Sequence, residues 1–275
     1  MEVAFYPAPG KLNLFLHVLG RRPDGYHELQ TVFRLVERSD RVGVGIRVDG
    51  AVKFSGPFNE ENLCFKAAQL LKRRSGTKLG CDLTLEKNLP IGGGMGGGSS
   101  DAATVLMVLN RLWDLKRRDL PQIALELGAD VPFFLFGRNA LGEGVGERLT
   151  PLDLPEAWYL VVAPKVQVST AAVFADNSLT RNTKPLKIPP FFAGQGANDL
   201  EGVVARRYPA VAAQLAWLKD RCPQARMTGS GACVFAEFRT ETEACALERE
   251  LPPGAHGFVT RGLDRHPLHD WTHEK

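Results

Sequence analysis

The residues with the clearest chemical potential lie in LPIGGGMGGGSSDAA, residues 89–103. Six of the seven residues from Gly92 to Gly98, here called the glycine stretch, are glycine, so the backbone can adopt positive φ angles and a ligand can approach its N–H groups. Ser99 and Ser100 then supply N-cap chemistry for an apolar helical segment. A glycine loop that opens a helix gathers unsatisfied N–H donors at the positive end of the helix dipole. This pattern predicts a phosphate-binding site.

Asp101 is a carboxylate in the first turn of that predicted helix. A negative charge there favours the helix but repels a bound phosphate. The side chain must therefore point away from the phosphate or meet it through a cation, for which Mg²⁺ is the obvious candidate. The pattern does not define which residues would touch such an ion.

Three interpretations of the glycine stretch compete. Gly92, Gly94 and Gly97 meet the dinucleotide-binding formula G-x-G-x-x-G, but a Rossmann loop follows its strand directly, whereas residues 88–90 intervene here. The P-loop form requires a lysine after the last glycine, where Ser99 stands. A flexible linker is the third interpretation, although a predicted strand before the stretch and a buried helix after it argue against a linker.

Two isolated charged residues could complete a site for phosphoryl transfer. That reaction needs phosphate neutralisation, an in-line hydroxyl and a group that takes its proton, and the glycine stretch supplies only the first. Lys11 begins an alternating segment, and Asp130 is a lone carboxylate in ALELGADVPFFLF, where burial without a partner would be costly. A solvated lysine and a helix-terminal surface aspartate are also consistent with these positions.

Composition limits the class of protein. The chain has 275 residues, and 34 Lys and Arg against 31 Asp and Glu leave a net charge of +3, which is too small and dispersed for a nucleic-acid-binding surface. No apolar run reaches the roughly 18 residues of a membrane span, and the first twelve residues do not show the basic and apolar regions typical of a signal peptide. The five cysteines form no C-x-x-C pair, as is typical of reduced thiols. We therefore expect a cytoplasmic protein without nucleic-acid or membrane partners.

Hydrophobic periodicity divides the first part of the chain into elements. It predicts a half-buried strand at 11–18, further strands at 27–36, 42–48 and 81–87, and helices at 59–71, 99–113 and 120–127. Gly128 is expected to end the third helix. Val131, which precedes Pro132, is expected to be extended, so that no helix continues.

The second part of the chain alternates in the same way. The pattern predicts strands at 158–162 and 256–261, a strand and glycine turn at 227–238, helices at 170–174 and 199–220, and a helix from Glu241. Residues 176–196 have little periodicity and are predicted to form a long loop. The histidines of the C-terminal tail, His266, His269 and His273, are expected to be exposed or disordered. The alternation predicts an α+β fold, with a domain boundary near 152–156.

The motif P-I-G-G-G-M-G-G-G-S-S-D-A-A resembles the nucleotide-binding motif of the GHMP kinases. The resemblance implies a two-domain α+β fold with the active site in the cleft between an N-terminal nucleotide-binding domain, 1–156, and a C-terminal domain, 157–275. It implies ATP as the phosphate donor, with Mg²⁺ accompanying the nucleotide. The residues it assigns to ATP binding are Pro90, Ile91, Gly92, Gly93, Gly94, Met95, Gly96, Gly97, Gly98, Ser99 and Ser100, with Asn62 and Lys87 near the adenosine.

Other motifs of that family also occur. K-x-N matches Lys11 and Asn13, and G-A-D-V-P matches 128–132, which implies that Lys11 and Asp130 are the catalytic pair. In that assignment Asp130 accepts the proton of the attacking hydroxyl, while Lys11 keeps the carboxylate ionised and stabilises the transferring phosphoryl group. TGSGA at 228–232 resembles the third family motif, which closes on the active site from the second domain.

G-Y-H at 25–27 resembles the branch of the family whose substrate carries a cytidine diphosphate. It implies that Tyr26 stacks on the cytosine, His27 binds its polar edge, Phe174 covers the opposite face, and Asn13 contacts polar groups of the substrate. The implied activity is ATP-dependent phosphorylation of the 2-hydroxyl of a small molecule, cytidine diphosphate-linked methylerythritol, in isoprenoid precursor synthesis. A kinase for another small alcohol and a nucleotide-binding regulatory module are the alternatives. Thr180 departs from the pattern, because family members often carry proline there.

Overall fold

The computed structural model describes residues 3–57, 61–116 and 119–273. Its strands are β1 (Ala4–Arg21), β2 (His27–Arg47), β3 (Val52–Ser55), β4 (Gly80–Glu86), β5 (Ala140–Gly144), β6 (Arg148–Pro151), β7 (Trp158–Val162), β8 (Arg226–Met227), β9 (Val234–Phe238) and β10 (Gly257–Leu263). Its helices are α1 (Leu63–Ser75), α2 (Gly97–Leu112), α3 (Leu120–Leu127), α4 (Val131–Phe136), α5 (Thr170–Phe174), α6 (Ile188–Phe192), α7 (Glu201–Arg207), α8 (Pro209–Arg221), α9 (Glu241–Glu248) and α10 (Asp270–His273). The predicted α+β class is confirmed.

The sheet is built around the long strand β2. This strand pairs antiparallel with β1, β4, β5 and β10, while β3 joins β4 in parallel. β10 also pairs with β7, and the order continues through β9 to β8. A continuous sheet therefore runs from the first half of the chain into the second.

The predicted strands at 27–36 and 42–48 are a single strand in the structure. Polar and charged residues at 37–41 interrupt the apolar alternation, but the backbone of 39–41 stays paired with β1, with Ser39 opposite Pro9. Periodicity reports side-chain burial rather than backbone pairing, so it divides a strand that the sheet keeps whole.

β1 is longer and more buried than the predicted half-buried strand. Residues 8–18 are all buried, because the glycine stretch and the second half of the chain cover the face that carries Lys11 and Asn13. The register with β2 shifts between Pro9 and Lys11 and again between Asn13 and Phe15. Such bulges change the direction of side chains and often occur beside active sites.

Three apolar clusters hold the described residues together. The first lies among α1 to α4 and the strands of the first half, and the second lies among α7, α8 and the strands of the second half. The third combines residues of both halves, such as Leu12, Met95, Tyr159 and Phe235. Because these side chains leave water together, burial fixes the two halves against each other.

The first two helices begin at residues other than those predicted. Asn62 caps α1, and Asn59 of the predicted start lies outside the described residues. α2 begins at Gly97 after Gly96, which has a φ of 70°, so Ser99 and Ser100 lie in the first turn and not at the cap. Glycine adopts this backbone conformation without the steric penalty that other residues have.

Prolines explain two further differences. Val131 is predicted to be extended, but it begins α4. Pro132 lies in the first turn, where a backbone N–H has no acceptor within the helix, so the missing N–H of proline costs no hydrogen bond. The predicted helix at 199–220 is divided into α7 and α8, and Pro209 begins the second one. The predicted long loop at 176–196 contains only the short helix α6.

The C-terminal tail returns to the first half of the chain. His266 is only 2 % exposed and its amide donates to the Gly137 carbonyl at 2.9 Å, so the prediction of an exposed or disordered tail is wrong here. Trp271 packs edge-on against Tyr6, with ring centroids 5.4 Å apart. The side chain of His273 lies outside the described residues. The division into 1–156 and 157–275 stays a prediction.

None of the helices in the described ranges combines the length and the apolar character that crossing a membrane needs.

Candidate active site

A cavity of about 1120 Å³ opens between the two halves of the chain. Its walls come from β1, the turn between β1 and β2, the glycine stretch, α5 and the turn at 229–231. Pockets for one small ligand usually measure about 300 to 1000 Å³. The volume of this cavity lies just above that range.

Backbone contacts hold the glycine stretch against the turn at 228–232. The Gly93 carbonyl accepts a hydrogen bond from the Cys233 amide at 3.0 Å. Gly94 has a φ of +77°, and a Cβ there would lie 2.2 Å from the Thr228 carbonyl oxygen. The two turns can approach this closely only because residue 94 is glycine.

The N-terminus of α2 borders the cavity, which Gly96 and Ser99 line. The first N–H groups of a helix have no acceptor within it and carry the positive end of its dipole. The Ser100 hydroxyl is buried and donates to the Pro9 carbonyl at 2.7 Å, which fixes the helix to β1. This wall of the cavity can therefore bind a phosphate chain.

Lys11 and Asp130 meet beside the glycine stretch. Nζ of Lys11 lies 3.5 Å from Oδ2 of Asp130, and the two side chains are 4 % and 34 % exposed. The Lys11 amide donates to the Met95 carbonyl at 2.9 Å, which ties the base of this side chain to the glycine stretch. A buried ammonium beside an accessible carboxylate and a phosphate-binding backbone is the set of charges that phosphoryl transfer requires.

Asn13 uses its polar atoms to position Lys11. Its Oδ1 accepts a hydrogen bond from Nζ of Lys11, and its Nδ2 donates to Oγ1 of Thr31 at 2.9 Å. Its backbone amide donates to Oγ1 of Thr228 at 2.9 Å, so the turn from the second half also supports this residue. Asn13 lines the cavity, and its contact with a substrate stays a prediction.

Asp101 points away from the cavity, into an ion cluster beside the glycine stretch. Nζ of Lys87 donates to Oδ2 of Asp101 at 2.8 Å and to Oδ2 of Asp40. Oδ1 of Asp40 accepts from the amides of Asn88 at 2.6 Å and Leu89 at 2.8 Å. Burial raises the pKa of Asp101 to about 7; the Lys87 charge opposes this shift and the Asp40 charge adds to it.

This cluster decides between the two possibilities that the sequence leaves for Asp101. Its carboxylate is 2 % exposed and bound to a lysine, so it supports the start of α2 rather than a cation on the phosphates. Asp40 anchors the entry to the glycine stretch. Nothing in its local sequence, ERSDR, marks this role, because its partners lie far along the chain.

Aromatic side chains form a second part of the cavity wall. Tyr26 is 62 % exposed, which leaves its ring open to a ligand, and the rings of His27 and Phe174 stack with centroids 5.0 Å apart. Nε of Arg181 donates to Nε2 of His27 at 3.1 Å. Burial lowers the pKa of His27, and the positive charges of Arg181 and Arg21 lower it further. The imidazole is therefore neutral at pH 7.

The predicted site residues fall into two groups. Those that line the cavity are Lys11, Asn13, Tyr26, His27, Gly92, Gly94, Gly96, Ser99, Asp130 and Phe174. Those outside its lining, within the described ranges, are Asn62, Lys87, Pro90, Ile91, Gly93, Met95, Gly97, Gly98 and Ser100. Asn62 accepts from the Cys64 amide at 2.8 Å as the cap of α1, and Lys87 is held by two carboxylates. Their assignment to ATP binding stays a prediction.

Sequence reasoning missed several residues that support the site. Besides Asp40, Asn198 donates from Nδ2 to the carbonyls of Met227 and Gly229, both at 2.8 Å, and so holds the turn at 228–232. Arg181, which donates to His27, is the third such residue. The only signal for Arg181 is its place in a long aperiodic segment, since such loops are often functional.

Comparisons with known proteins agree with the predicted family. Family models described as the GHMP kinases N terminal domain and GHMP kinases C terminal match residues 62–138 and 191–253. The 4-diphosphocytidyl-2-C-methyl-D-erythritol kinase of Nitrosospira multiformis is 57 % identical, over 98 % of this chain and 94 % of that protein. The protein of the same name from Thiobacillus denitrificans is 55 % identical, over 98 % of this chain and 99 % of that protein.

Solved structures give the same result. A crystal structure of 4-(cytidine 5'-diphospho)-2C-methyl-D-erythritol kinase matches with a TM-score of 0.81 at 36 % identity, over 94 % of this chain and 100 % of that chain. A homoserine kinase from Cytophaga hutchinsonii matches with a TM-score of 0.66 at 16 % identity, over 95 % and 94 %, which shows a shared fold alone. The chain belongs to the GHMP kinase family, in the branch of the 4-diphosphocytidyl-2-C-methyl-D-erythritol kinases.

Proposed function

We propose that this kinase transfers the γ-phosphoryl group of ATP to the 2-hydroxyl of 4-diphosphocytidyl-2-C-methyl-D-erythritol, in the cytoplasm. The observation that carries the proposal is that one cavity is lined by the glycine stretch, by Lys11 and Asp130, and by the aromatic side chains at Tyr26 and His27. Relatives that are 50 to 57 % identical over nearly their full length bear the name of this enzyme, which supports the choice of substrate.

Asp130 accepts the proton of the attacking hydroxyl in this mechanism. Its carboxylate is partly accessible, and Nζ of Lys11 lies 3.5 Å away. The same ammonium stabilises the charge on the phosphoryl group during transfer. The N–H groups at the start of α2 hold the phosphate chain in line with the hydroxyl.

Mg²⁺ accompanies the nucleotide and supplies neutralisation of its phosphate charge. Within the described ranges, no group of three or more His, Cys, Asp or Glu side chains is arranged to hold an ion by itself. Mg²⁺ would require oxygen donors at this site. Ser99, which lines the cavity in the first turn of α2, is the residue that would hold it.

The aromatic part of the cavity receives the cytosine. Stacking on Tyr26 contributes affinity for any base, and polar contacts with His27 give the identity of the base. A kinase for a small alcohol without a base would have no use for this pair of side chains.

The proposal is tested by following ADP release with purified protein, ATP and Mg²⁺. The acceptors are 4-diphosphocytidyl-2-C-methyl-D-erythritol, homoserine and mevalonate in separate reactions. ADP should form only with the cytidine compound, in equal amount to a product whose new phosphate is on the 2-oxygen by ³¹P spectroscopy. No release with that compound, or equal turnover of homoserine or mevalonate, would contradict the proposal.

A further inference from the structure

The contact between Arg181 and His27 determines where the imidazole carries its proton. The Nε–H of arginine is always present, and it donates to Nε2 of His27 at 3.1 Å. Nε2 must therefore supply its lone pair, so the proton of the neutral ring is on Nδ1. The imidazolium, in which both nitrogens carry protons, is disfavoured by burial and by the charges of Arg181 and Arg21. The ring is thus held in one neutral tautomer.

Arg181 is itself firmly held. Its Nη1 donates to the carbonyl of Leu179 at 3.1 Å, and its Nη2 donates to the carbonyls of Phe174 and Asp176, both at 2.8 Å. The guanidinium therefore connects the end of α5 to the imidazole of His27, whose ring stacks on Phe174. Because every nitrogen of the guanidinium has an acceptor, its orientation toward His27 is fixed.

We propose that Arg181 is a positioning residue that makes the site select cytosine, by fixing the tautomer of His27. This inference rests on the proposed function, since His27 lines the part of the cavity assigned there to the base. A proton on Nδ1 makes the ring a hydrogen-bond donor to a ligand. Cytosine has an acceptor at N3, whereas N3 of uracil carries a hydrogen. A donor opposite N3 therefore accepts cytosine and rejects uracil.

Removing Arg181 frees the tautomer. A neutral imidazole without that donor can carry its proton on either nitrogen, and a bare Nδ1 can accept a hydrogen bond from N3 of uracil. Discrimination between the two bases then falls. The cytidine and uridine substrates carry the same diphosphate, so the lost positive charge acts on that group equally in both. Because the Arg181 charge also lowers the pKa of His27, the kcat/KM values are compared at about pH 8, above the ordinary histidine pKa, where the ring of the variant is neutral as well.

The variant Arg181→Met removes the donor and keeps a side chain of similar length. The ratio of kcat/KM for the cytidine substrate to that for its uridine counterpart should fall about tenfold, the value of one hydrogen bond, while KM for ATP stays the same. Arg207→Met is the matched control. Arg207 donates to the Ala172 carbonyl at 3.2 Å and to the Asp176 carboxylate at 3.1 Å, so it supports the same segment without touching His27. Its ratio should equal that of the wild type.

The tautomer is measured directly by ¹⁵N spectroscopy of the imidazoles, with His27→Gln used to assign the signal. Wild-type His27 should be protonated on Nδ1, and Arg181→Met should give a mixture. An Nε2-protonated His27 in the wild type would overturn the inference, even if the variant failed to fold. An unchanged ratio in Arg181→Met, or an equal fall in Arg207→Met, would also overturn it. A wild type that does not turn over the cytidine substrate would instead contradict the proposed function.

Discussion

The ammonium group of Lys11 has a direction that its neighbours fix. Nζ donates to Asn13, lies 3.5 Å from Asp130 and lies 5.6 Å from the centroid of the Phe33 ring. Because Asp130 is partly accessible to water, it neutralises this charge only in part, and the ammonium keeps its attraction for a phosphoryl group. Contacts within the protein therefore orient Lys11, and such positioning lowers the entropic cost of reaching a transition state.

Tyr26 is predicted to contribute to substrate binding and not to catalysis. Tyr26→Ala removes a ring that is 62 % exposed, so the fold should be unaffected. Stacking of a base on an aromatic ring contributes about 1 to 3 kcal/mol, so KM for the cytidine substrate should rise roughly 5- to 140-fold while KM for ATP stays the same. Tyr26→Phe keeps the ring and should behave like the wild type in steady-state kinetics. Equal rises in both KM values would contradict the assignment.

The sequence points to site residues where the chemistry of a position allows few residue types. Lys11, Asp130 and three glycines, Gly92, Gly94 and Gly96, stand in local motifs, and the structure brings them to one cavity. Asp40 and Arg181 could not be identified in this way, because their roles depend on partners brought close by folding. Likewise, Asn62 and Lys87 match family positions, but their side chains cap a helix and pair with carboxylates.

The glycine stretch takes its shape from the elements around it. Asp40 binds two backbone amides at its entry, the turn at 228–232 donates to its carbonyls, and α2 begins at its end. A flexible segment of this composition would lose much conformational entropy on ordering by itself. Contacts from both halves of the chain offset that loss, so the shape of the glycine stretch depends on how the two halves pack together.

Gly94 is predicted to be required for this arrangement. Alanine at 94 must adopt a positive φ and collides with the Thr228 carbonyl, whereas alanine at Gly92 adopts a similar φ, +68°, with nothing nearer than 3.7 Å. Gly94→Ala should therefore lower the free energy of unfolding by about 1 to 3 kcal/mol more than Gly92→Ala, measured by denaturant titration. Equal losses in the two variants would show that only the backbone conformation matters and not the approach of the turns.

Element types were more predictable than element ends. The helices at 120–127 and 170–174 and the strand at 158–162 follow local periodicity, and the structure confirms them. The start of α4 could not be predicted, because two preferences oppose each other there. The residue before a proline disfavours the helical conformation, whereas proline itself is tolerated in the first turn of a helix. The unity of β2 depends on pairing with β1, which local patterns do not report.

The whole molecule is joined by more than the central sheet. A cluster of apolar side chains is shared by the two halves, and the C-terminal tail returns to pack on the first half. His266 anchors this tail: its Nδ1 accepts from the Leu268 amide at 3.0 Å, and its ring is buried. A tail of polar and histidine residues was expected to be exposed because its composition gives no periodic apolar face. Its burial arises from contacts with α2, with Gly137 just after α4, and with Tyr6 of β1.

His266 should make stability depend on pH. Burial, and to a smaller extent the charge of His269, lower its pKa to about 3 from the ordinary 6.5. Between these values the unfolded chain binds a proton that the folded chain excludes, so the free energy of unfolding falls as the pH falls from 6.5 toward 3. As the pH falls from 6.5 toward 3, the free energy of unfolding of His266→Asn should decrease less than that of the wild type, measured by thermal or denaturant unfolding. His256 is exposed, so His256→Asn should show the same pH dependence as the wild type. A free energy of unfolding that depends on pH in the same way in His266→Asn and in the wild type would contradict the assignment.

The central claim is that Lys11, Asp130 and the glycine stretch act on one γ-phosphoryl group. Single-turnover kinetics of Asp130→Asn with ATP and the cytidine substrate test it most directly, because the substitution keeps the shape and removes the proton acceptor. The rate of phosphoryl transfer should fall by about 10² to 10⁴, while the dissociation constant of ATP stays near that of the wild type. A transfer rate equal to that of the wild type would contradict the account.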